Sequence, residues 1–410
     1  MKTLIFLDYF TPAYKAGGPI RIYEALIQEQ QKGCELFIVT QNTDWGDPTP
    51  FREVANGKWM TKESAQVLYL SDAQRGYREI LRVVKEISPE VIHLNSLFSR
   101  TWTMKLLFLK RLGRLSSQLV LSPHGELSPQ ALAIKPHRKQ LFLWLARKLG
   151  LFRDITWIAT SAREVEEIAV QEFNGRVRGN LPIKLVMPAM PKLFPHRPSQ
   201  KKPGRLRLVF LARISAMKNI GHLKQIFSKI KGNIEFDIFG PIDSAYSIQF
   251  GQICTEIKRA APCVVVTHRG PVGSHLAQQV LSEYDLFVQP SLSENFGYSI
   301  LEALASGTPV LISDQTPWNE VATEGAGAAL PLNRPDLWVA TLQRFVDMDE
   351  TQWNEMSTRA QAWLESLRQS VNSLFNVYLQ ISSSRSAVGN VTGLQPRSQG
   401  DAKIEDADRP

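Results

Sequence analysis

Short, continuous apolar runs, each followed by a helical pattern, recur along most of the chain, and this alternation limits the fold more than any other feature. In the first half the runs are Thr3–Phe10, Glu35–Gln41, Val67–Leu70, Val91–Asn95, Leu119–His124 and Ile155–Thr160. They are mostly continuous, as parallel strands covered on both faces require. Helical patterns lie between them, such as Ile20–Lys32, stopped by Gly33, and Tyr77–Ile87, stopped before Pro89. A breaker-rich stretch follows, with Pro188, Pro191, Pro195, Pro198 and Pro203 beside Lys201 and Lys202, and reads as a linker. A second series then starts, with strands predicted at Leu206–Ile214, Ile234–Phe239, Cys263–His268, Asp285–Gln289 and Pro309–Ile312, closed by helical segments at Trp338–Asp347 and Gln352–Gln380. The fold class is α/β, with two layered domains. The predicted division is 1–195, then 196–355, then a helix over 356–380 that can return to the first domain, then a disordered tail over 381–410.

At 410 residues the chain is long enough for two such cores. No apolar stretch approaches the roughly 20 residues of a membrane span. The N-terminal run meets Asp8 too early for a signal sequence and reads as a strand. Three cysteines, Cys34, Cys254 and Cys263, form neither a disulfide framework nor a zinc spacing, which points to a reducing cytosol. Charge is uneven: residues 1–200 hold 28 Lys and Arg against 18 Asp and Glu, and the remainder holds 20 against 21. The basic half implies an anionic surface or substrate. No nucleic-acid-binding signature accompanies it, so nucleic acid is not an expected partner.

Ligands of open α/β sheets bind beyond the carboxyl ends of the strands, so polar residues just after strands carry the chemistry. The strongest constellation runs from Pro290 to Val310, with Glu294 in a loop, Gly297 opening a helix, Glu302 one turn further in, and Gly307-Thr308-Pro309 leading to the next strand. Backbone N–H groups near Gly297, Tyr298 and Ser299 form a phosphate site at a helix N-terminus. The competing reading makes Glu294 a helix-start carboxylate and Glu302 part of a solvated face. Arg213 and Lys218 follow a buried strand, and two cations can neutralise a diphosphate leaving group; alone they also fit a solvated basic turn. His124-Gly125-Glu126 ends a first-domain strand, where His124 is either a ligand contact or structural. Gly17-Gly18-Pro19 follows the first strand and allows close approach of a ligand before a helix. Neither a dinucleotide nor a Walker glycine fingerprint occurs. Asn95 and Ser96, Gly240-Pro241, and Gly270-Pro271-Val272 are lesser candidates, the last two for a nucleotide base. Asp347-Met348-Asp349 reads as a solvated face rather than a metal motif, and no required metal is expected.

Together these residues resemble a retaining glycosyltransferase of family 4, group 1, whose fold is GT-B: two Rossmann-like α/β/α domains facing across a cleft. The series Arg213…Lys218, Asp285 to Ser291, Glu294 to Glu302 and Gly307-Thr308-Pro309-Val310 is similar to the family's donor domain. Asp8-Tyr9-Phe10, Tyr14 to Arg21, Asn95 to Phe98 and Pro123 to Ser128 are similar to bacterial members that build surface polysaccharide. The resemblance implies a nucleoside-diphosphate sugar as donor substrate, no cofactor or metal, and a glycan or lipid-linked sugar acceptor. It implies that His124, Arg213, Lys218 and Glu294 are catalytic, the cations on the diphosphate, and Glu294 and His124 at the donor sugar. Glu302 would hold the ribose hydroxyls, Gly297, Tyr298 and Ser299 would offer backbone to the phosphates, and Gly17 and Gly18 would leave room for the diphosphate. Ala189 departs from the family pattern, which often has Asn after Pro188. The alternatives are a GT-B sugar-nucleotide hydrolase or epimerase, and a non-catalytic GT-B binding protein.

One further segment stands out. Residues 135–153 carry six Lys and Arg and no acid, with Leu141, Phe142, Trp144, Leu145 and Leu149 on one broad helical face. Such a stripe fits either of two settings, packed on the sheet or lying in an anionic lipid interface. The second would make a cytoplasmic enzyme peripheral on the inner face of the plasma membrane.

Overall fold

A computed structural model of the chain describes residues 1–15, 17–29, 33–171, 182–195, 201–370 and 373–389. The first sheet has eight strands: β1 (Lys2–Phe6), β2 (Glu35–Gln41), β3 (Trp59–Lys62), β4 (Ala65–Leu70), β5 (Val91–Asn95), β6 (Gln118–Ser122), β7 (Ile155–Ala159) and β8 (Ile183–Leu185), in the order β3-β4-β2-β1-β5-β6-β7-β8. All neighbours are parallel except β3 against β4. Helices α1 (Gly18–Gln28), α2 (Tyr77–Ile87), α3 (Thr103–Arg111), α4 (Pro129–Ala133), α5 (Pro136–Lys148) and α6 (Ala162–Val170) connect them. Central strands β1 and β5 bury nearly every residue, as parallel strands covered on both faces must.

The second sheet is wholly parallel: β9 (Arg205–Leu211), β10 (Asn233–Phe239), β11 (Val264–Gly270), β12 (Leu286–Gln289), β13 (Val310–Ser313) and β14 (Gly327–Leu330), in the order β11-β10-β9-β12-β13-β14. Its helices are α7 (Leu223–Phe227), α8 (Ser247–Ala260), α9 (Ala277–Leu281), α10 (Tyr298–Ala305) and α11 (Pro335–Asp347), followed by α12 (Glu350–Ser370) and α13 (Leu374–Gly389). Lys201 ties the start of this unit to its far end: its buried ammonium donates to the carbonyls of Lys202, Arg205, Val346 and Met348.

Each sheet reverses its strand order once, between β1 and β5 and between β9 and β12. Such switch points open a crevice at the carboxyl ends of the strands, and here the two crevices face each other.

The segment predicted as one helix over Gln352–Gln380 is two, α12 and α13. The second crosses back to the first sheet, where buried Tyr378 meets His93 of β5, hydroxyl to Nδ1 at 2.5 Å. It runs to Gly389, past the point where the tail was expected to begin. Leu374, Phe375, Val377, Tyr378 and Ile381 repeat at helical spacing and are buried, which carries the helix beyond 381. Residues 390–410 of the expected tail, and Pro198 of the linker, lie outside the described residues.

Candidate active site

Between the domains lies a cleft of about 350 Å³, and all ten residues singled out in the sequence line it: Gly17, Gly18, His124, Arg213, Lys218, Glu294, Gly297, Tyr298, Ser299 and Glu302. Gly240, Pro241, Pro271 and Val272 line it too. Asn95 and Ser96 stand behind the wall.

The second domain builds its wall from the ends of β9 and β12. After β9 the chain passes Arg213 and makes a short 3₁₀ turn, Ala216–Lys218, that ends on Asn219 at φ +52°. Leu292 N–H bonds the Met217 carbonyl at 2.9 Å, which stitches this turn to the Glu294 loop. Lys218 donates to the Glu294 carboxylate. Glu294 also accepts from Gln289 Nε2 at 2.7 Å, and Gln289 Oε1 accepts from Ser299 Oγ at 2.9 Å. Glu294 is therefore a loop carboxylate held by an ammonium and a buried amide, not a helix-start cap.

Gly297 precedes α10 at φ +76°, and a Cβ there would meet Ile300 Cδ1 at 2.8 Å and Glu294 Cγ at 3.0 Å. Only glycine fits. The first two N–H groups of α10, on Tyr298 and Ser299, have no acceptor within the helix, whereas Ile300 N–H bonds the Gly297 carbonyl at 2.9 Å, and they leave a positive end at the cleft.

Glu302 is not on a solvated face. It retains 5% of its exposure, and its Oε1 lies 3.5 Å from Arg21 Nη1 of α1, in the other domain. Burial raises its pKa above the ordinary carboxylate value, and Arg21 opposes the rise. Arg213 also meets the first domain, its guanidinium 5.1 Å from the centre of the Trp45 ring, a cation–π contact.

The first-domain wall is set by two tight turns. Gly17, at φ +84°, precedes α1, whose first turn holds Pro19, and no atom lies within 4 Å of a Cβ built on Gly17 or Gly18. His124 and Gly125 are both left-handed, at φ +52° and +77°. A Cβ on Gly125 would strike Asn295 Cβ at 2.7 Å, so this glycine lets the second domain approach. Asn295 in turn donates to Thr160 Oγ1 at 3.0 Å. Glu164, at the start of α6, accepts from Gly125 N–H at 2.6 Å and Thr160 N–H at 2.8 Å and braces the turn.

The tautomer of His124 follows from its neighbours. Asn95 Nδ2 donates to the Phe6 carbonyl at 3.3 Å, which directs Asn95 Oδ1 to the opposite side. There it accepts from the Tyr23 hydroxyl and lies 2.9 Å from His124 Nε2. An amide oxygen only accepts, so Nε2 carries the hydrogen and Nδ1 keeps its lone pair. Burial lowers the pKa of His124 against the pull of Glu164, which favours the neutral ring. Behind it, His93 is pushed down to about 3 by burial and bridges Tyr378 and Ser122.

Several of these groups escaped the sequence reading. Gln289 sits inside a strand, Arg21 and Trp45 act across the cleft, and Glu164 lies in the first turn of α6. Ser96 is engaged by Glu126, which also accepts from Leu97 and Phe98 N–H. The Ala189 carbonyl accepts from the Tyr298 hydroxyl at 3.1 Å, a bond that a side-chain amide is not needed to make. Asp347 and Asp349 are exposed, and Asp349 caps α12. Among the described residues, no three His, Cys, Asp or Glu side chains converge to hold a metal.

Residues 194–363 match the family model described as glycosyl transferases group 1. A D-inositol 3-phosphate glycosyltransferase of Paenarthrobacter aurescens (strain TC1) is 28% identical over 160 residues, 37% of this chain and 38% of that protein. The O-antigen chain mannosyltransferase RfbU of Salmonella typhimurium is 35% identical over 89 residues, 22% of this chain and 24% of that protein. The matched stretches thus span well under half of these relatives. Among solved structures, sucrose-phosphate synthase from Thermosynechococcus elongatus superposes with a TM-score of 0.65 at 17% identity, covering 95% of this chain and 98% of that one. Anabaena HepE, in complex with UDP and glucose, superposes at 0.64 and 15% identity, covering 94% and 100%. The architecture is GT-B, and the segment that builds the Arg213, Lys218, Glu294 and Glu302 wall is the one that the group 1 glycosyl transferase model matches.

Proposed function

We infer that the chain is a glycosyltransferase that moves a sugar from a nucleoside-diphosphate sugar to an acceptor hydroxyl with retention, in surface polysaccharide synthesis. The observation that carries this is the convergence, in one interdomain cleft, of two cations, a helix N-terminus, two carboxylates and a histidine from the facing domain. Arg213, Lys218 and the first N–H groups of α10 meet the charge that grows on the diphosphate as the anomeric C–O bond lengthens. Glu302 accepts from the ribose, and Glu294 and His124 Nδ1 accept from hydroxyls of the transferred sugar. The acceptor oxygen forms the new bond on the face the diphosphate leaves, and its proton passes to a diphosphate oxygen. Retention is supported by where both carboxylates stand, Glu294 beside Lys218 on the leaving-group side and still bonded by Gln289 when Lys218 turns to the diphosphate, and Glu302 against Arg21. Neither stands free as a base on the opposite face, and the lowered pKa of His124 weakens it as one. With the diphosphate charge met by these side chains, the reaction needs no metal. The Salmonella relative named an O-antigen chain mannosyltransferase supports the polysaccharide role. A lipid-linked acceptor places the enzyme in the cytoplasm at the inner face of the plasma membrane.

The test is a screen of nucleotide sugars for protection against thermal unfolding, since a ligand at 100 times its Kd adds about 2.7 kcal/mol. Hits are then assayed for nucleoside diphosphate release, with and without glycan acceptors, and the product's anomeric configuration is read by NMR. No protection by any nucleotide sugar would refute the reading. Free sugar released without acceptor would mark a hydrolase, protection without turnover a binding protein, and an inverted product would remove retention.

A further inference from the structure

The outer face of α3 and α5 has a composition that neither packing nor the cleft explains. Helices α3 and α5 follow neighbouring strands of one parallel sheet, and right-handed crossovers place them on the same side. They touch: Phe98, just before α3, packs on Phe142 of α5 at 5.8 Å between ring centres, and Arg111 Nε donates to the Leu149 carbonyl at 2.9 Å. The inner face of α5 is accounted for by Leu143 and Ala146, both buried. On its outer face Leu141, Trp144, Leu145 and Leu149 repeat at helical spacing and are 57%, 53%, 42% and 52% exposed. Phe108 and Leu112, on and just after α3, and Ile134 before α5 are exposed too. A single exposed leucine means little, but a contiguous apolar band of this size marks an interaction site.

Charge identifies the partner. Residues 97–153 carry eleven Lys and Arg against one acid, Glu126. That acid is already satisfied by Ser96 and two backbone N–H groups. Arg111, Arg114, Lys135, Arg138, Arg147, Lys148 and Arg153 are exposed around the band. Apolar side chains with a tryptophan, rimmed by these cations, with Asp154 as an exposed acid at the end of the rim beside Arg153, fit the boundary between anionic headgroups and acyl chains. A second copy of this face would bring cation against cation.

We propose that the α3–α5 face docks this protein onto an anionic phospholipid surface, with Trp144, Leu145 and Leu149 entering the interface and the rim cations on lipid phosphates. The proposal rests on the acceptor reading above for its purpose and on the exposed band for its support. The face reaches the cleft wall through α4 and the His124 turn, so a lipid-linked acceptor in the same bilayer would arrive beside the site.

The experiment floats the full chain with vesicles of phosphatidylcholine alone and of phosphatidylcholine mixed with phosphatidylglycerol, at low and high salt. The expected result is flotation with the mixed vesicles, weakened by salt, at least about tenfold above that with phosphatidylcholine. Trp144→Ser with Leu145→Ser should abolish it. Arg138→Gln with Lys148→Gln should lower partitioning by roughly twenty-five-fold, fivefold per charge. All four side chains are exposed, so melting temperatures should not move, and protection by a nucleotide sugar should persist in both variants. That readout separates failure here from failure of the functional reading. Absence of flotation on the mixed vesicles, or flotation unchanged in the Trp144 and Leu145 variant, overturns the proposal. So does a dimer, seen by light scattering, that this variant dissolves, because the band would then cover a second copy.

Discussion

Lys218→Ala separates a catalytic from a merely structural cation. The Lys218 and Glu294 side chains retain 18% and 15% of their exposure, so the pair lies between two limits. Exposed pairs contribute about 0.2–1 kcal/mol, whereas stranding a buried charge costs about 3–5 kcal/mol. After truncation Glu294 keeps its bond from Gln289 at 2.7 Å, so the loss should be about 1–2 kcal/mol, or a few degrees in Tm. A donor to charge that develops in the transition state contributes more: removing one costs about 2.7–4 kcal/mol, or roughly a hundred- to thousandfold in kcat. The two effects are measured apart, stability by denaturant titration and kcat from nucleoside diphosphate release with both substrates saturating, well below either Tm. Lys224→Ala is the control. Its ammonium pairs with Glu256 at 2.7 Å on the outer surface, and neither quantity should change. If Lys218→Ala lost the stability but kept kcat within about threefold of the parent, the ammonium would be a structural partner of Glu294 and the leaving-group assignment would fail.

Glu294→Gln should bind free nucleoside diphosphate up to about fivefold more tightly, because Lys218 loses a competing carboxylate, while turnover falls; weaker diphosphate binding by calorimetry would contradict the shared-cation geometry. Glu302→Gln should weaken donor binding by about ten- to a hundredfold, the value of charge-assisted acceptance, with kcat nearly unchanged; an unaltered Kd would remove Glu302 from the donor site. Because burial raises the pKa of Glu302, acidification should weaken donor binding at a pH above the usual carboxylate range, and this loss should vanish in Glu302→Gln. The sign for stability follows: a raised folded-state pKa means extra protons bound on folding, so the contribution is present below the unfolded value, near about 4.3, and is lost as pH rises through the folded value. Nitrogen-15 NMR of labelled histidine should show His124 as the Nε2–H tautomer, and Asn95→Asp should shift its titration upward and lower kcat/KM for the donor. An Nδ1–H tautomer in the parent protein would refute the orientation derived through the Phe6 carbonyl.

Strands in the middle of both sheets were legible because burial on two faces leaves a mostly apolar run: Glu35–Gln41 and Val91–Asn95, the latter interrupted by His93, coincide with β2 and β5. The same signal overran strand ends. Leu7, Phe10 and Ile214 are buried, yet they lie past β1 and β9 in the loops that enter the cleft, because hydrophobicity records burial and not backbone conformation. Edge strands were missed for the converse reason. Strand β3 is Trp-Met-Thr-Lys and half exposed, β8 has three residues, and β14 is Gly-Ala-Ala-Leu, whose small side chains carry no β pattern. The positions of the ten cleft residues were legible because each follows a strand at its carboxyl end. Their partners were not. Arg21 and Glu302 are brought to 3.5 Å by the meeting of two separately folded sheets, and no local pattern encodes that.

These cross-cleft pairs bear on how the site would fill. Every charged group assigned to the donor already has a protein partner: Lys218 holds Glu294, Arg21 holds Glu302, and Arg213 lies over Trp45. Donor entry is then an exchange of partners rather than the filling of an unoccupied charge. A diphosphate would compete with Glu294 for Lys218, and the carboxylate so released would keep Gln289 and have its other lone pairs free for sugar hydroxyls. On the other side Arg21, Glu24 and Trp45 belong to the first domain and reach Glu302, Ser274 and Arg213 of the second. Any separation of the domains must break these contacts, two of which involve the very residues placed on the ribose and the diphosphate. Binding and closure therefore draw on the same side chains. With the donor roles proposed for Arg213 and Glu302, binding and closure would be coupled, because Trp45 and Arg21 contact the same side chains.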